Sequence, residues 1–201
     1  MDAEAFWAVI GRYNQATWGI QAVLLAAVAA GIITASLQRA VWLPKVTLGI
    51  TNLFLGVVFF LYYGTEPIQT FFAAPLYIAV GILFLWEGIR YRDSAFVRFN
   101  RVQWALLALV MLYPVVSLCM GHTFPQMVVC IMPCPVVSLS ILVYSCYAHK
   151  NKFLLALLTL WGLTGIKSVF FNAWEDMILL LCGVYCLCLF IGEIKRAKNG
   201  V

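Results

Sequence analysis

The chain has 201 residues, of which 64% are hydrophobic and only 10% are charged, with a net charge of +5. A soluble domain carries about 45–50% apolar and about 25% charged residues, so this composition excludes an ordinary water-soluble protein. We therefore expect lipid to be part of its solvent, and we interpret the positive charge as a signal of membrane orientation rather than of nucleic-acid binding.

The first 16 residues precede the first long apolar run and are rich in aromatic side chains, including Phe6, Trp7 and Tyr13. A cleavable signal peptide is not expected, because Asp2 and Glu4 stand where its basic residues would be. Trp and Tyr favour the headgroup layer, so residues 1–16 are predicted to form an outer interfacial segment. The alternative is that the first membrane helix simply starts early and tilts.

Seven apolar runs then follow one another, each long enough to cross a membrane, which takes roughly 20 residues. The runs are continuous rather than alternating with period two, which favours helices over a β-barrel. The predicted fold is therefore all-α: a single membrane domain over residues 1–201 that forms a bundle of seven transmembrane helices. The predicted spans are about 17–37, 46–63, 71–89, 102–120, 127–147, 153–171 and 177–194.

Lysine and arginine residues fall almost entirely on one side of this topology. Eleven lie in the loops after helices one, three and five or in the basic tail 195–201, against two, Arg12 and Lys167, on the other side. The positive-inside rule then places the N-terminus outside and the C-terminus in the cytoplasm. The eleven are Arg39, Lys45, Arg90, Arg92, Arg98, Arg101, Lys150, Lys152, Lys195, Arg196 and Lys198.

The densest group of residues able to carry chemistry lies at the outer ends of helices four and five. Thiolate and imidazole ligands suit Cu(I) or Zn(II), and residues at i and i+4 share a helical face, so Cys130, Cys134 and His122 are predicted metal ligands. Pro133 and Pro135 free backbone carbonyls by breaking the helix, which makes this point a candidate binding site. The alternative is a structural kink with inert cysteines and no cofactor.

Charged residues within spans are costly and therefore informative. Lys167 lies one turn inside the outer end of helix six, and Glu175 and Asp176 open helix seven across the loop. They are predicted to form either an ion-pair gate or anion site at an outer cavity, or a structural pair between the two helices. Glu87 is expected to pair with Arg90 at i+3.

No enzymatic activity is predicted from the motifs. The two histidines, His122 and His149, form neither HxxxH nor HExxH, and the chain lacks GxSxG and a P-loop. Asn52, inside helix two, is expected either to hydrogen-bond to a neighbouring helix or to line a pathway.

Several short motifs are similar to those of an uncharacterised bacterial family of short multi-pass membrane proteins. That resemblance implies a location in the bacterial inner membrane and no assigned activity. The motifs are Phe6-Trp7 with Tyr13-Asn14, Trp18-Gly19-Ile20-Gln21, Gly121-His122 with Pro125, Pro133-Cys134-Pro135, and Glu175-Asp176.

Two functions remain open. A small-solute or ion transporter predicts a cavity open to the outside and lined by some of these polar groups, with the lipid bilayer as surroundings. A non-catalytic scaffold or sensor predicts a tightly packed bundle that works through a membrane partner or a second copy of the chain. In both cases the site is expected at the outer ends of helices four to seven.

Overall fold

The computed structural model describes residues 3–167 and 174–198 as an all-α bundle. Residues 1–2 of the predicted interfacial segment, the end of the predicted span 153–171 and residues 199–201 of the tail lie outside the described residues. In the described ranges a single β-bridge, between Phe96 and Tyr147, is the one strand-like pairing. The helices are α1 Ala3–Ser36, α2 Leu43–Phe54, α3 Ala74–Arg90, α4 Arg101–Met111, α5 Tyr113–Cys119, α6 Pro133–Ser145, α7 Lys152–Leu163 and α8 Met177–Lys198.

Four short segments extend these helices. The π-helix Leu55–Tyr62 continues α2, and the π-helix Gln69–Ala73 leads into α3. The 3₁₀ turn Thr164–Lys167 follows α7, and the 3₁₀ turn Trp174–Asp176 precedes α8. A π-helix is rare, is usually a single-turn bulge and often lies at a functional site. Two of them lie here on either side of one loop, residues 63–68, which is a distinctive feature of this chain.

The bundle has two chemically different ends. At one end, the side chains of Lys45, Glu87 and Tyr144 meet in a buried cluster, and we call this the ion-pair end. At the opposite end, side chains that include Lys167 and Asp176 line a cavity, and we call this the cavity end. Both ends draw on residues that are far apart in the chain, so each fixes the arrangement of several helices at once.

Four helical stretches of the described residues are long and apolar enough to cross a membrane: Glu4–Ser36, Leu43–Tyr62, Gln69–Arg90 and Trp174–Lys198. α4 and α5 make a fifth if the pair, bent by 48°, is counted as one span. The predicted number of seven full-length spans is therefore too high. The predicted spans 127–147 and 153–171 contain helices of only 13 and 12 residues, about 20 Å long against a hydrocarbon layer of about 30 Å.

α6 is surrounded by its neighbours in the bundle rather than by lipid. Nearly every residue of this helix is buried, on all sides. Its first carbonyl, that of Pro133, accepts a hydrogen bond from the Tyr77 hydroxyl at 2.7 Å. Near its other end the Tyr144 hydroxyl donates to Glu87 at 2.9 Å. Since Tyr77 and Glu87 lie near the two ends of α3, α6 runs alongside α3 from the cavity end to the ion-pair end.

α1 is one continuous helix of 34 residues that begins at Ala3, so residues 3–16 of the predicted interfacial segment form its first turns. Its first turns are held by the non-helical chain before α6. The Tyr13 hydroxyl donates to the carbonyl of Ile131 at 2.9 Å. The Asn14 amide donates to the carbonyls of Pro125 and Met127 at 2.8 and 2.9 Å.

The break between α5 and α6 has a local cause in the sequence. α5 ends in a Schellman motif, in which Gly121 has a φ of 90° and the His122 N–H bonds to the carbonyl of Ser117 at 3.1 Å. Pro133 then supplies the first position of α6, where a missing N–H costs nothing. The helix predicted to begin at residue 127 therefore begins at Pro133, six residues later.

The outer surface of the bundle carries many large apolar side chains. Phe71, Ile89 and Tyr62 are 80%, 78% and 77% exposed, and similar residues occur on α1, α4 and α8. A water-soluble protein rarely exposes apolar surface on this scale, because its contact with water is unfavourable. Together with the long apolar helices, this surface supports a membrane location.

α7 and α8 approach each other at two glycines. A Cβ atom on Gly162 would lie 2.6 Å from the Cα atom of Gly183, which is backbone and cannot rotate away. Small residues of this kind let membrane helices pack backbone to backbone. Gly192, further along α8, has nothing within 4 Å of the corresponding point.

We expect Gly162→Ala to lower the free energy of unfolding in detergent micelles by about 1–3 kcal/mol, because the added methyl group forces α7 and α8 apart. The matched change Gly192→Ala is expected to leave the free energy of unfolding unchanged or to raise it by up to about 1 kcal/mol, because alanine favours the helical conformation more than glycine does. Denaturant unfolding of the purified variants measures both. Equal stability of the two variants would contradict the close contact.

Candidate functional site

A cavity of about 180 Å³ opens at the cavity end. It is of the same order as a cavity of about 150 Å³ that holds benzene, so a small organic molecule fits. Exposed residues such as Ile68 and Lys167 stand at its mouth. It is lined by Phe6, Ile10, Phe59, Phe60, Ile68, Gln69, Phe72, Ala73, Val128, Met132, Pro133, Cys134, Pro135, Trp161, Thr164, Lys167 and Asp176.

The two π-helices build one wall of this cavity. Leu55–Tyr62 contributes Phe59 and Phe60, and Gln69–Ala73 contributes Phe72 among others. The loop between them is fixed by Gln69, whose side-chain oxygen accepts hydrogen bonds from two backbone N–H groups of the loop at 2.8 and 3.0 Å. The wall is therefore aromatic, and the two hydrogen bonds to the Gln69 side chain hold it in place.

The floor is formed by aromatic side chains around the start of α6. The ring of Trp161 meets the rings of Phe60 and Tyr77 edge to face, with centroids 5.5 and 4.9 Å apart. The indole N–H of Trp161 is buried, and within the described residues it has no hydrogen-bond partner. A ligand in the cavity that carries an acceptor is the natural partner for this donor.

Opposite charges line the same cavity. Lys167 ends the 3₁₀ turn after α7, and Asp176 ends the one before α8. These two turns touch, since a Cβ atom on Gly165 would lie 2.6 Å from the carbonyl oxygen of Asp176. In the described part of the chain, however, Lys167 forms no ion pair with Asp176 or any other carboxylate. The Asp176 carboxyl lines the cavity together with the Cys134 thiol.

The predicted pathway residues divide into two groups in the structure. Pro133, Cys134, Lys167 and Asp176 line the cavity together. The remaining three, His122, Glu175 and Asn52, do not line it. Asp176 therefore belongs with the cavity, whereas its sequence neighbour Glu175 does not.

Each of these three residues has its own surroundings. The His122 ring stacks on Trp7, with centroids 3.6 Å apart. The Asn52 amide donates to the carbonyl of Leu48 at 2.8 Å and to the Ser140 hydroxyl at 3.2 Å, so it joins two helices. Glu175 is fully buried, and neither of its carboxylate oxygens has a hydrogen-bond partner among the described residues.

The residues predicted to bind a metal are not brought together. Cys130 lines a second cavity of about 220 Å³ beside α1, whereas Cys134 lines the first. They do not share a helical face, because the helix begins only at Pro133. Across residues 3–167 and 174–198, no three His, Cys, Asp or Glu side chains are placed to hold a metal ion.

A second polar centre lies at the ion-pair end. The Lys45 ammonium is 3.0 Å from one oxygen of Glu87, and both side chains are completely buried. The Tyr144 hydroxyl donates to the other carboxylate oxygen at 2.9 Å and accepts from the backbone N–H of Asn151 at 2.6 Å. The Lys45 ammonium also lies over the ring of Tyr147, 4.3 Å from its centroid. Every polar group of this cluster is therefore partnered.

Lys150 links this cluster to the end of α8. Its ammonium donates to the carbonyl of Tyr147 at 2.6 Å and lies 3.9 Å from the carboxylate of Glu193. Burial disfavours the charged form and lowers the pKa of the Lys150 amine, an effect that Glu193 opposes. The loop before α7 is thus fastened to the last helix by a partly desolvated charge.

The predicted pairing of Glu87 with Arg90 is wrong, since Glu87 pairs with Lys45 and Arg90 is exposed. Sequence reasoning counted Lys45 among the loop lysines and so missed it. A signal was present: Lys45 lies in the first turn of α2 and Glu87 in the last turn of α3. Consecutive helices joined by a short loop run antiparallel, which brings such residues to the same level.

We expect Glu87→Gln to lower the free energy of unfolding by about 3–5 kcal/mol, because Lys45 would remain buried without an opposite charge. The double variant Lys45→Met with Glu87→Gln is expected to lose less than the sum of the two single changes. Denaturant unfolding in detergent micelles measures this difference. Lys152→Met, at an exposed lysine, serves as the control, and additive losses would argue against a coupled pair.

Comparison with known proteins identifies one relationship. A protein-family model, described only as a family of unknown function, matches residues 3–200 of the chain. No curated protein and no solved structure shows a significant match. The predicted resemblance to an uncharacterised family is therefore confirmed, and the site geometry carries the functional argument.

Proposed function

The chain belongs to the DUF6064 family, a family of unknown function, and from its site we propose that it is a multi-pass membrane protein that transports a small solute. The single observation that carries this proposal is the asymmetry of the bundle. A cavity opens at one end, and a fully buried ion pair closes the other.

An asymmetric bundle of this kind is suited to alternating access. A transporter holds its solute between helices near the middle of the protein and opens to one side at a time. In this chain, the cavity reaches the start of the central helix α6, and the far end of α6 carries Tyr144 of the ion-pair cluster. The conformation described corresponds to the state open at the cavity end. Release to the other side requires the contacts between Lys45, Glu87 and Tyr144 to separate.

The proposed topology places the N-terminus outside and the C-terminus in the cytoplasm of a bacterial inner membrane. α6 and α7 are too short to be full-length spans, and their neighbours in the bundle cover much of their surface. The orientation is supported by the basic residues Arg39, Arg92 and Arg98, which follow α1 and α3 at the ion-pair end. The cavity then opens to the outside.

The orientation predicts the behaviour of C-terminal fusions to the full chain. A green fluorescent protein is expected to be fluorescent there, and an alkaline phosphatase is expected to be inactive, because the phosphatase folds only outside the cytoplasm. Colony assays of both fusions in a bacterial host measure this. An active phosphatase with a dark fluorescent protein would reverse the orientation.

The cavity itself can be tested by filling it. Thr164 lines the cavity, whereas Thr70, equally half-buried, does not. Thr164→Trp is expected to lower solute uptake at least tenfold by occupying the cavity, and Thr70→Trp is expected to change it less than twofold. Light scattering reports the swelling of proteoliposomes in isosmotic solutions of sugars, amino acids, amines and carboxylates.

The outcome separates transport from the other predicted function. Swelling of wild-type proteoliposomes with one of these solute classes, blocked by Thr164→Trp, supports transport. Binding of a solute without any uptake would instead favour a sensor or scaffold that acts through a membrane partner or a second copy of the chain. An equal effect of the two tryptophan variants would remove the cavity from the mechanism.

A further inference from the structure

The charges that line the cavity point to a class of solute. Resting on the proposed function, we infer that the cavity binds a small zwitterion with an apolar body, in which one ammonium and one carboxylate group lie close together, as in an amino acid.

The two charged side chains in the cavity do not pair with each other. Lys167 and Asp176 line one cavity on turns that touch each other, yet within the described ranges no ion pair joins them. A charge costs least to hold beside an apolar wall when a partner of opposite sign is present. Among the described residues neither side chain has such a partner, so a ligand can supply one to each.

The two charges of the cavity disfavour a ligand that carries a single charge. An organic cation would be attracted to Asp176 but repelled by Lys167. An organic anion would be attracted to Lys167 but repelled by Asp176. A zwitterion matches both, because its carboxylate faces Lys167 while its ammonium faces Asp176. Glu175 does not line the cavity, and Cys134, which lines it together with Asp176, carries no charge as a thiol.

The other residues that line the cavity also suit a zwitterion with an apolar body. The indole N–H of Trp161 is a buried donor with no partner among residues 3–167 and 174–198, and a ligand carboxylate supplies an acceptor. The rings of Phe60 and Phe72 give an apolar surface for the body of the ligand. Aromatic faces also attract an ammonium group, so they oppose neither part of a zwitterion.

The experiment uses three compounds that share one apolar group and differ only in charge. Phenylalanine carries both charges, 2-phenylethylamine lacks the carboxylate, and 3-phenylpropionate lacks the ammonium. Calorimetric titration of the full-length protein in lipid nanodiscs gives the Kd for each. We expect phenylalanine to bind about tenfold or more tightly than either analogue, since each analogue loses one charge-assisted contact.

Two variants assign the charges to residues. Lys167→Gln is expected to weaken phenylalanine binding about tenfold and to tighten 2-phenylethylamine binding, because that compound has no carboxylate to lose and is no longer repelled by the Lys167 ammonium. Asp176→Asn is expected to weaken phenylalanine binding similarly and to tighten 3-phenylpropionate binding, because the repulsion from the Asp176 carboxylate is removed. The controls are Lys152→Gln and Asp93→Asn, which change exposed residues outside the cavity. Thermal unfolding verifies that all four variants are folded.

The results separate this inference from the proposed function. Equal affinity for the three compounds overturns the zwitterion inference, as does a loss of 2-phenylethylamine binding in Lys167→Gln. Alanine, ethylamine and propionate form a smaller set with the same charges, and absence of binding in both sets also overturns it. In that case, uptake of a sugar or a simple ion that Thr164→Trp blocks would leave the transport function intact.

Discussion

The constraint on which the structure depends is that buried backbone polar groups, which water does not reach, must find partners within the protein. Residues 120–132 are not helical, so their carbonyls cannot be satisfied by their own segment. α1 supplies the partners, because Tyr13 bonds to Ile131 and Asn14 to Pro125 and Met127. This explains why α1 starts early and why α6 can be short. It also keeps the chain beside the cavity in one conformation without a regular element.

The two ends of the bundle meet the same constraint in different ways. At the ion-pair end, Lys45 and Glu87 neutralise each other, and Tyr144 satisfies the remaining carboxylate oxygen, so this charged cluster is fully bonded. At the cavity end, Lys167 and the indole N–H of Trp161 have no such partners in the described part of the chain. These two polar groups lie where the bundle is open. In the proposed function, a bound solute would complete at this end the kind of pairing that Lys45 and Glu87 already have at the other.

Much of this architecture follows from the sequence, since apolar runs and the distribution of Lys and Arg indicate a helical membrane protein and its charged face. The cavity residues Pro133, Cys134, Lys167 and Asp176 were also identifiable as polar or helix-breaking residues at helix ends. The pairing of Lys45 was not, because the partner of a charge depends on how helices meet in space. The lengths of α6 and α7 were missed for a similar reason: hydropathy does not distinguish a helix surrounded by protein from one surrounded by lipid. The π-helices have no sequence signature at all.

The length of α1 has a consequence for the depth of the cavity. The helix is about 51 Å long, whereas the hydrocarbon layer is about 30 Å thick. Residues 18–36 account for about 28 Å of it, and this stretch begins at Trp18, an exposed indole of the kind that marks the lipid–water boundary. The earlier turns, with Phe6 and Ile10 in the cavity wall, then project beyond the hydrocarbon. In the proposed topology the mouth of the cavity thus lies among the lipid headgroups, where a polar solute would arrive from water without first entering the hydrocarbon.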